Sequence, residues 1–160
     1  MKRNISLTTL AIFLTVLYVG SAAAARAQEE PGCSKASVGG KWGFTTNGTV
    51  VGIGPRDSLG IFTLDGDGNL LNGKATASLN GSITDETFSG TYTVNADCTG
   101  KLAIQIFDAS GNKILTATLD VVFDDNVREL RAIFTSAVVP NGPSLLTVIT
   151  AQGKRLVSDR

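Results

Sequence analysis

The side chains able to do chemistry in this chain of 160 residues are carboxylates, arginines and hydroxyls, because the sequence contains no histidine. The absence of histidine excludes Ser-His-Asp and Cys-His catalysis, together with histidine-based zinc, copper and haem sites. Acid, base or charge-stabilising roles are left to a small set of candidates: Glu86, Asp120, Glu129, Arg128 and Arg131. These groups can move a proton or stabilise charge. Because histidine is absent and both cysteines are expected to be oxidised, histidine and thiolate metal sites are excluded and we expect no cofactor.

The two candidate arginines lie in the seventh predicted strand, where side chains alternate between two faces. Arg131 lies on the face opposite Leu130 and Phe134, so one of Arg128 and Arg131 can face the interior. The alternative is that both arginines, like Glu129, lie in water at a strand end, as exposed charges usually do.

The string Asp65-Gly-Asp-Gly-Asn69 has oxygen ligands at its first, third and fifth positions, which is how a calcium-binding loop begins. The sixth position is Leu70 where that loop has glycine, and the twelfth is Thr76 where it has a bidentate glutamate. The same string is typical of a glycine-rich hairpin turn, since Asp and Asn tolerate left-handed backbone. We therefore interpret it as a turn and expect no metal site.

Residues 1–27 have the three parts of a secretory signal peptide. Lys2 and Arg3 form the positive region, Ile5 to Val19 is apolar, and Ala25-Arg-Ala27 is the cleavage site. The apolar run is shorter than the roughly 20 residues of a transmembrane helix, so we expect cleavage and a soluble secreted or periplasmic product. The predicted organisation is a signal peptide (1–27), an N-terminal tether (28–40), a β-barrel domain (41–157) and a tail (158–160).

Cleavage would remove three basic side chains and no acidic one, leaving eleven basic and fourteen acidic side chains. No run of Lys or Arg remains in the mature chain. Because a basic surface is the electrostatic requirement for binding nucleic acid, we expect no nucleic-acid partner.

Cys33 and Cys98 are the two cysteines of the chain, so they are the one possible intramolecular pair. Cysteines of exported proteins usually form disulfides, and this bond would fix the N-terminal segment to the turn around residue 98. The alternative is a reactive thiol, which needs an electropositive environment, and Asp97 beside Cys98 disfavours a thiolate. We expect the disulfide.

About eight short segments alternate apolar with polar residues and are separated by Gly, Asn and Asp turns. The predicted strands are Lys41–Val51, Leu59–Leu64, Leu70–Leu79, Thr87–Val94, Lys101–Phe107, Lys113–Phe123, Val127–Val138 and Ser144–Gln152. Every connection is short, so neighbouring strands must be antiparallel. Closure of the sheet removes the two exposed edges that an open meander would have. The predicted fold class is therefore all-β, an antiparallel up-and-down barrel of about eight strands, with a two-sheet sandwich as the alternative.

Gly40-Lys-Trp42 at the start of the first strand resembles the G-x-W motif of lipocalins and the wider calycin barrels. Arg155, just after the last predicted strand, matches the arginine that packs over this tryptophan in that family, which implies that Trp42 and Arg155 meet at the barrel closure. Three segments are also similar to uncharacterised exported bacterial proteins whose barrel resembles allene oxide cyclase: Gly40–Phe44, Asp65–Asn69 and Gly90–Gly100. The likeness covers most of residues 33–156, but no helix follows the last strand and no catalytic residue of allene oxide cyclase aligns. The resemblance therefore implies a calycin or allene oxide cyclase-like fold and no particular activity.

Eight strands enclose either packed side chains or one small ligand. Phe88, Tyr92 and Phe134 are the candidate ligand contacts; Tyr92 alternates with Phe88, so we expect it to be a core residue and not a catalytic phenol. The sequence predicts an exported barrel that binds a small, mostly apolar ligand in its lumen without catalysis. The alternatives are a cofactor-free cyclase or isomerase acting on an apolar substrate inside the barrel, and a surface interaction protein with a solid core.

The sixth and eighth predicted strands are apolar on both faces, so one apolar face remains outside the barrel. This outer face of the sixth to eighth strands predicts a homo-oligomer interface or a second layer formed by the N-terminal segment. An outer-membrane barrel would also be apolar outside, but it would have aromatic girdles that this chain lacks. We therefore expect no membrane insertion.

Overall fold

The elements of the barrel follow one another in an uninterrupted meander in the computed structural model, which describes residues 32–124 and 126–156. These residues form one helical turn, α1 (Lys35–Val38), and eight strands: β1 (Gly40–Val50), β2 (Gly54–Leu64), β3 (Asn69–Leu79), β4 (Ser82–Val94), β5 (Thr99–Phe107), β6 (Lys113–Asp124), β7 (Glu129–Val138) and β8 (Thr147–Arg155). Each strand pairs antiparallel with the next, and β8 pairs with β1 to close the sheet. The predicted antiparallel up-and-down barrel is confirmed. The predicted signal peptide and the tail 158–160 lie outside the described residues.

Alternation along the strands sorts the side chains between the lumen and the outer surface. In β5, Leu102, Ile104 and Ile106 are buried while the residues between them are exposed. The same period of two recurs in β6, where Ala117, Leu119, Val121 and Phe123 are buried. Burial of these apolar side chains in the lumen forms the core of the protein.

The segment that includes α1 closes one end of the barrel. Ser34 caps the helical turn by accepting a hydrogen bond from the Ser37 N–H, and Val38 packs fully buried in the core. The indole Nε1 of Trp42 donates to the Val38 carbonyl at 3.1 Å. The Cys33–Cys98 disulfide, predicted from the sequence, joins this segment to the β4–β5 turn. Among the described residues, no helix is long and apolar enough to cross a membrane.

Three turns share one geometry: residues 65–69, 95–99 and 108–112. In each turn the N–H of the first residue donates to the carbonyl of the fifth, at 2.8 to 3.0 Å. The fourth residue of each has a positive φ: Gly68 at 102°, Cys98 at 66° and Gly111 at 81°. Glycine adopts this conformation without steric cost, so Cys98 occupies a position that favours glycine.

The string that begins like a calcium loop forms the first of these turns. Asp65 Oδ1 accepts hydrogen bonds from the backbone N–H groups of Asp67, Gly68 and Asn69. The Asn69 side chain donates to Asp65 Oδ2, and this bond, followed by the backbone bonds, lowers the pKa of Asp65. The Asp65 carboxylate therefore organises the turn itself, as the turn interpretation of the sequence expects.

Some strand bounds differ from those predicted. β2 begins five residues before the predicted Leu59, because Gly54 to Ser58 continue the pairing with β1. β4 begins at Ser82 instead of Thr87, because its polar first residues pair with the end of β3. β8 is shifted from 144–152 to Thr147–Arg155, because Ser144 forms an isolated bridge with Val138 and the pairing with β1 extends to Arg155.

Candidate ligand-binding site

A cavity of about 60 Å3 lies inside the barrel, and every strand contributes at least one side chain to its wall. Most of the wall is apolar, formed by side chains such as Leu102, Ile104 and Leu119. The polar residues of the wall are Thr46, Arg56, Ser58 and Glu86. An apolar cavity with a few polar groups is the usual composition of a small-molecule site.

Four phenylalanines line the cavity, and three of them, Phe44, Phe62 and Phe88, pack against one another as a cluster. Phe44 meets Phe88 edge to face, with ring centroids 5.5 Å apart and an interplanar angle of 88°. Phe62 lies 5.7 Å from Phe44 and 6.2 Å from Phe88 between centroids. Such tilted and edge-to-face pairs fix the positions of the rings and leave an apolar surface toward the cavity.

An ion pair between Arg56 and Glu86 forms the charged part of the wall. Arg56 Nη2 donates to Glu86 Oε2 at 2.8 Å, and the exposed fractions of the two side chains are 14% and 6%. Arg56 is carried by β2 and Glu86 by β4, so the pair bridges β3. Because removal of one partner would leave a buried charge, we expect each residue to be needed for the other.

Two hydroxyls lie beside this ion pair. Thr46 on β1 and Ser58 on β2 are register partners, and their hydroxyl oxygens are 2.7 Å apart in a hydrogen bond. Thr46 follows Phe44 by two residues on β1, and Glu86 precedes Phe88 by two on β4. The polar groups therefore form one layer of the lumen, and the phenylalanines form the adjacent layer nearer α1.

The end of the lumen nearest α1 is closed by Trp42 and Arg155, which are register partners across the β1–β8 pair. Trp42 is completely buried and packs against Phe123, with ring centroids 5.7 Å apart. The Arg155 guanidinium donates through Nη1 to the Ser37 carbonyl at 3.0 Å and through Nη2 to the Gly39 carbonyl. Stacking of Arg155 over the indole stays a prediction.

The structure separates the predicted acid and base candidates. Glu86 lines the cavity, whereas the other carboxylates pair with basic residues away from it: Asp120 with Lys101, and Glu129 with Lys154 at 2.9 Å. The two candidate arginines also lie away from the cavity wall. Arg131 is exposed and paired with Asp124, and Arg128 is exposed in the β6–β7 turn. Of the predicted acid, base and charge-stabilising candidates, therefore, Glu86 is the one that the structure places on the cavity wall.

The aromatic candidates divide between the cavity and the closed end. Phe88 and Phe134 line the cavity. Tyr92 is buried on the α1 side of the cavity. Its hydroxyl lies within hydrogen-bonding distance of two carbonyls, that of Lys35 at 3.0 Å and that of Asp65. Burial raises the pKa of Tyr92, and the carboxylates of Asp65 and Asp67 raise it further. Tyr92 therefore joins the N-terminal segment to the β2–β3 turn.

Sequence reasoning missed Arg56, Ser58 and Thr46 as residues of the site. Gly54-Pro55 is typical of a turn, so the sequence predicts that Arg56 lies in a connection between strands. A continuous period of two, in which Arg56, Ser58 and Phe62 share one face with Leu64, was the signal that could have found it.

The fold and cavity define the class of protein: a closed, eight-stranded, lipocalin-like β-barrel with a small internal cavity. A similar solved structure is EF1p2_mFAP2b bound to DFHBI, with a TM-score of 0.54, 12% identity and coverage of 78% of this chain and 100% of that chain. Another is the redesigned β-barrel mFAP1 bound to DFHBI, with a TM-score of 0.50, 18% identity and coverage of 76% and 98%. A third is Rv2717c from M. tuberculosis, with a TM-score of 0.42, 18% identity and coverage of 76% and 94%.

No protein-family model matches the chain, and no curated protein matches it. At identities of 12% and 18%, the first two structures indicate the fold and not the activity. Their eight-stranded barrels are consistent with the calycin-like barrel that the G-x-W motif implies.

Proposed function

We propose that this protein is an exported barrel that binds a small, mostly apolar molecule in its lumen, and that it does so without catalysis. The observation that carries the proposal is the cavity between Phe44, Phe62 and Phe88 on one side and the Arg56–Glu86 pair on the other. In support, two barrels of similar fold are bound to the small molecule DFHBI.

The size of the cavity limits the ligand. About 60 Å3 is several times the roughly 10 to 15 Å3 that one water needs, and less than the roughly 150 Å3 of a cavity that takes benzene. A group of a few carbon atoms fits the cavity as it stands. A larger ligand would enter with part of its apolar body or would displace side chains of the wall.

The test is to fill the cavity without changing the outer surface. Ala75 lines the cavity, whereas Ala103 is exposed on β5, so Ala75→Phe and Ala103→Phe form a matched pair. We expect Ala75→Phe to abolish binding of short-chain alcohols in an NMR titration, and Ala103→Phe to bind like the wild type. Equal binding by both variants, or no binding of any small apolar molecule by the wild type, would refute the proposal.

Export is the second part of the proposal. It is supported by the signal peptide pattern at residues 1–27 and by the Cys33–Cys98 disulfide, since disulfides persist in oxidising compartments. We expect the intact mass of the protein recovered outside the cytoplasm to correspond to a chain that begins at Gln28. A mass that includes residues 1–27 would contradict cleavage.

A second candidate function is a cofactor-free isomerase or cyclase, which the position of Glu86 favours. A carboxylate in an apolar cavity beside an arginine can take a proton from carbon next to a carbonyl while Arg56 stabilises the enolate oxygen, and can then return it. In D2O this exchange would introduce deuterium into a small ketone, detectable by NMR, and Glu86→Gln would abolish it. Exchange at the same rate in the wild type and Glu86→Gln would exclude this function.

A homo-oligomer through the outer face of β6–β8 also stays a proposal. Each of these strands exposes one large apolar side chain, Val122, Ile133 or Val148. If this face is an interface, Val148→Lys should convert an oligomer into a monomer in sedimentation velocity. A monomeric wild type would refute it.

A further inference from the structure

The polar layer of the lumen carries two opposite charges that cancel. We propose that it selects an uncharged ligand whose apolar body carries one group that both donates and accepts hydrogen bonds, such as a hydroxyl or a primary amide. This inference rests on the proposed ligand-binding function and concerns the part of the ligand that lies beside Arg56 and Glu86.

Both members of the ion pair keep unused hydrogen-bonding capacity. A guanidinium has five N–H donors, and among the described residues the hydrogen bond of the Arg56 side chain is the one to Glu86 Oε2. In the described part of the chain, the one fully enclosed side-chain oxygen or nitrogen without a hydrogen-bond partner is Asp124 Oδ1. No atom of Arg56 or Glu86 is both fully enclosed and unpartnered. Because Arg56 and Glu86 both line the cavity, the remaining Arg56 N–H groups and the second Glu86 oxygen can bind a ligand there.

The short distance between the two charges disfavours a charged ligand. A carboxylate that accepts from Arg56 would lie close to Glu86, whose negative charge repels it. An amine that donates to Glu86 would lie close to Arg56 and be repelled in the same way. A neutral hydroxyl or amide can accept from Arg56 and donate to Glu86, so it satisfies both residues without an unpaired charge.

The arrangement of the layers orients such a ligand. The Thr46 and Ser58 hydroxyls, 2.7 Å apart, add neutral donors and acceptors to the layer of the ion pair. The adjacent layer of Phe44, Phe62 and Phe88 provides the apolar surface for the body of the ligand. The polar group of the ligand therefore lies in the charged layer and the apolar body lies toward α1.

Three molecules of similar size and different charge test the selection: isoamyl alcohol, isovalerate and isoamylamine. We expect the wild type to bind the alcohol at least about tenfold more tightly than either ion, measured by NMR titration at constant pH and salt. Glu86→Gln removes the negative charge and should shift the preference toward isovalerate by about tenfold, and Arg56→Gln should shift it toward isoamylamine. Asp120→Asn, which breaks the exposed pair with Lys101, is the matched control and should leave the preferences unchanged.

The outcomes separate this inference from the proposed function. If the wild type binds isovalerate or isoamylamine as tightly as the alcohol, the selection is wrong and the binding function stands. If the wild type binds apolar molecules but none of these three, the selection is also wrong. If it binds no small molecule at all, both are wrong. Should a charge variant fail to fold, as judged by its amide spectrum, the wild-type preference alone decides.

Discussion

Removal of the Cys33–Cys98 disulfide should lower the free energy of unfolding by about 4 kcal/mol. The bond joins residues 65 positions apart, and the loss of loop-closure entropy in the unfolded chain gives about 4 kcal/mol for a loop of this length. For a domain of this size the loss corresponds to a fall of about 15 °C in the midpoint of thermal unfolding. Circular dichroism of the oxidised wild type and of the Cys33→Ala/Cys98→Ala variant measures the difference.

The backbone at Cys98 allows a sharper form of this test. Its φ of 66° is in the left-handed region, where the Cβ of a residue other than glycine costs roughly 1 to 2 kcal/mol. Glycine avoids this steric cost, but it loses more backbone entropy on folding, which offsets part of the gain. Cys33→Ala/Cys98→Gly should therefore be more stable than Cys33→Ala/Cys98→Ala by about 0.5 to 1 kcal/mol. Ala96→Gly, in the same turn but at a residue without a positive φ, is the control and should give no gain.

Two results would refute this reasoning. If the double alanine variant unfolds within about 3 °C of the wild type, loop entropy does not explain what the bond contributes. If the glycine and alanine variants unfold at the same temperature while Ala96→Gly is neutral, the left-handed turn at Cys98 carries no strain.

Three further predictions concern the closed end, the lumen and the turns. Arg155→Ala should lower stability by about 2 kcal/mol, because it removes charge-assisted hydrogen bonds to two carbonyls of the N-terminal segment, and a thermal midpoint equal to the wild type would contradict this. Phe88→Ala should cost about 3 to 5 kcal/mol in urea unfolding, whereas Ile83→Ala, at an exposed position, should cost little; similar losses would show that the aromatic layer is not packed. Hydrogen bonds lower the pKa of two turn carboxylates: those from the side chain and then the backbone of Asn69 at Asp65, and those from the backbone and then the side chain of Asn112 at Asp108. These carboxylates therefore stabilise the fold above their unfolded pKa, and the stabilisation is lost as the pH falls through the lower, folded value. On acidification below about pH 4, the thermal midpoint of an Asp65→Asn/Asp108→Asn variant should therefore fall less than that of the wild type. Identical pH profiles would show that the charged forms of these two carboxylates do not stabilise the fold.

The number and order of the strands could be predicted because alternation and turn residues are local signals. Residues 101–107 alternate without interruption, so β5 was predicted within two residues of its start. The start of β4 was missed because Ser82 to Glu86 are mostly polar and exposed, and nothing local distinguishes such a segment from a loop. Pairing with β3 determines this part of the strand, and pairing is not a local property.

The site was harder to predict than the fold. The sequence indicates Glu86 as one acid among several, but it predicts that the partner, Arg56, lies in a connection between strands. A buried ion pair forms between strands that are not adjacent, and no spacing in the sequence indicates that residues 30 positions apart meet in the lumen. The Trp42–Arg155 pairing was accessible because a family motif connects the two ends of the chain.

The closure between β1 and β8 also determines how the protein must fold. The Thr150 hydroxyl and the Asn47 carbonyl, which bond across this closure, are 103 residues apart in the chain. The hairpins of the meander can form from local contacts, whereas closure must overcome the entropy of a loop that spans nearly the whole barrel. Folding should therefore be slow for a domain of this size, with the edges of β1 and β7 unprotected until β8 docks between them. The nine residues of β8, the last strand of the barrel to be synthesised, determine when the barrel stops being an aggregation-prone open sheet.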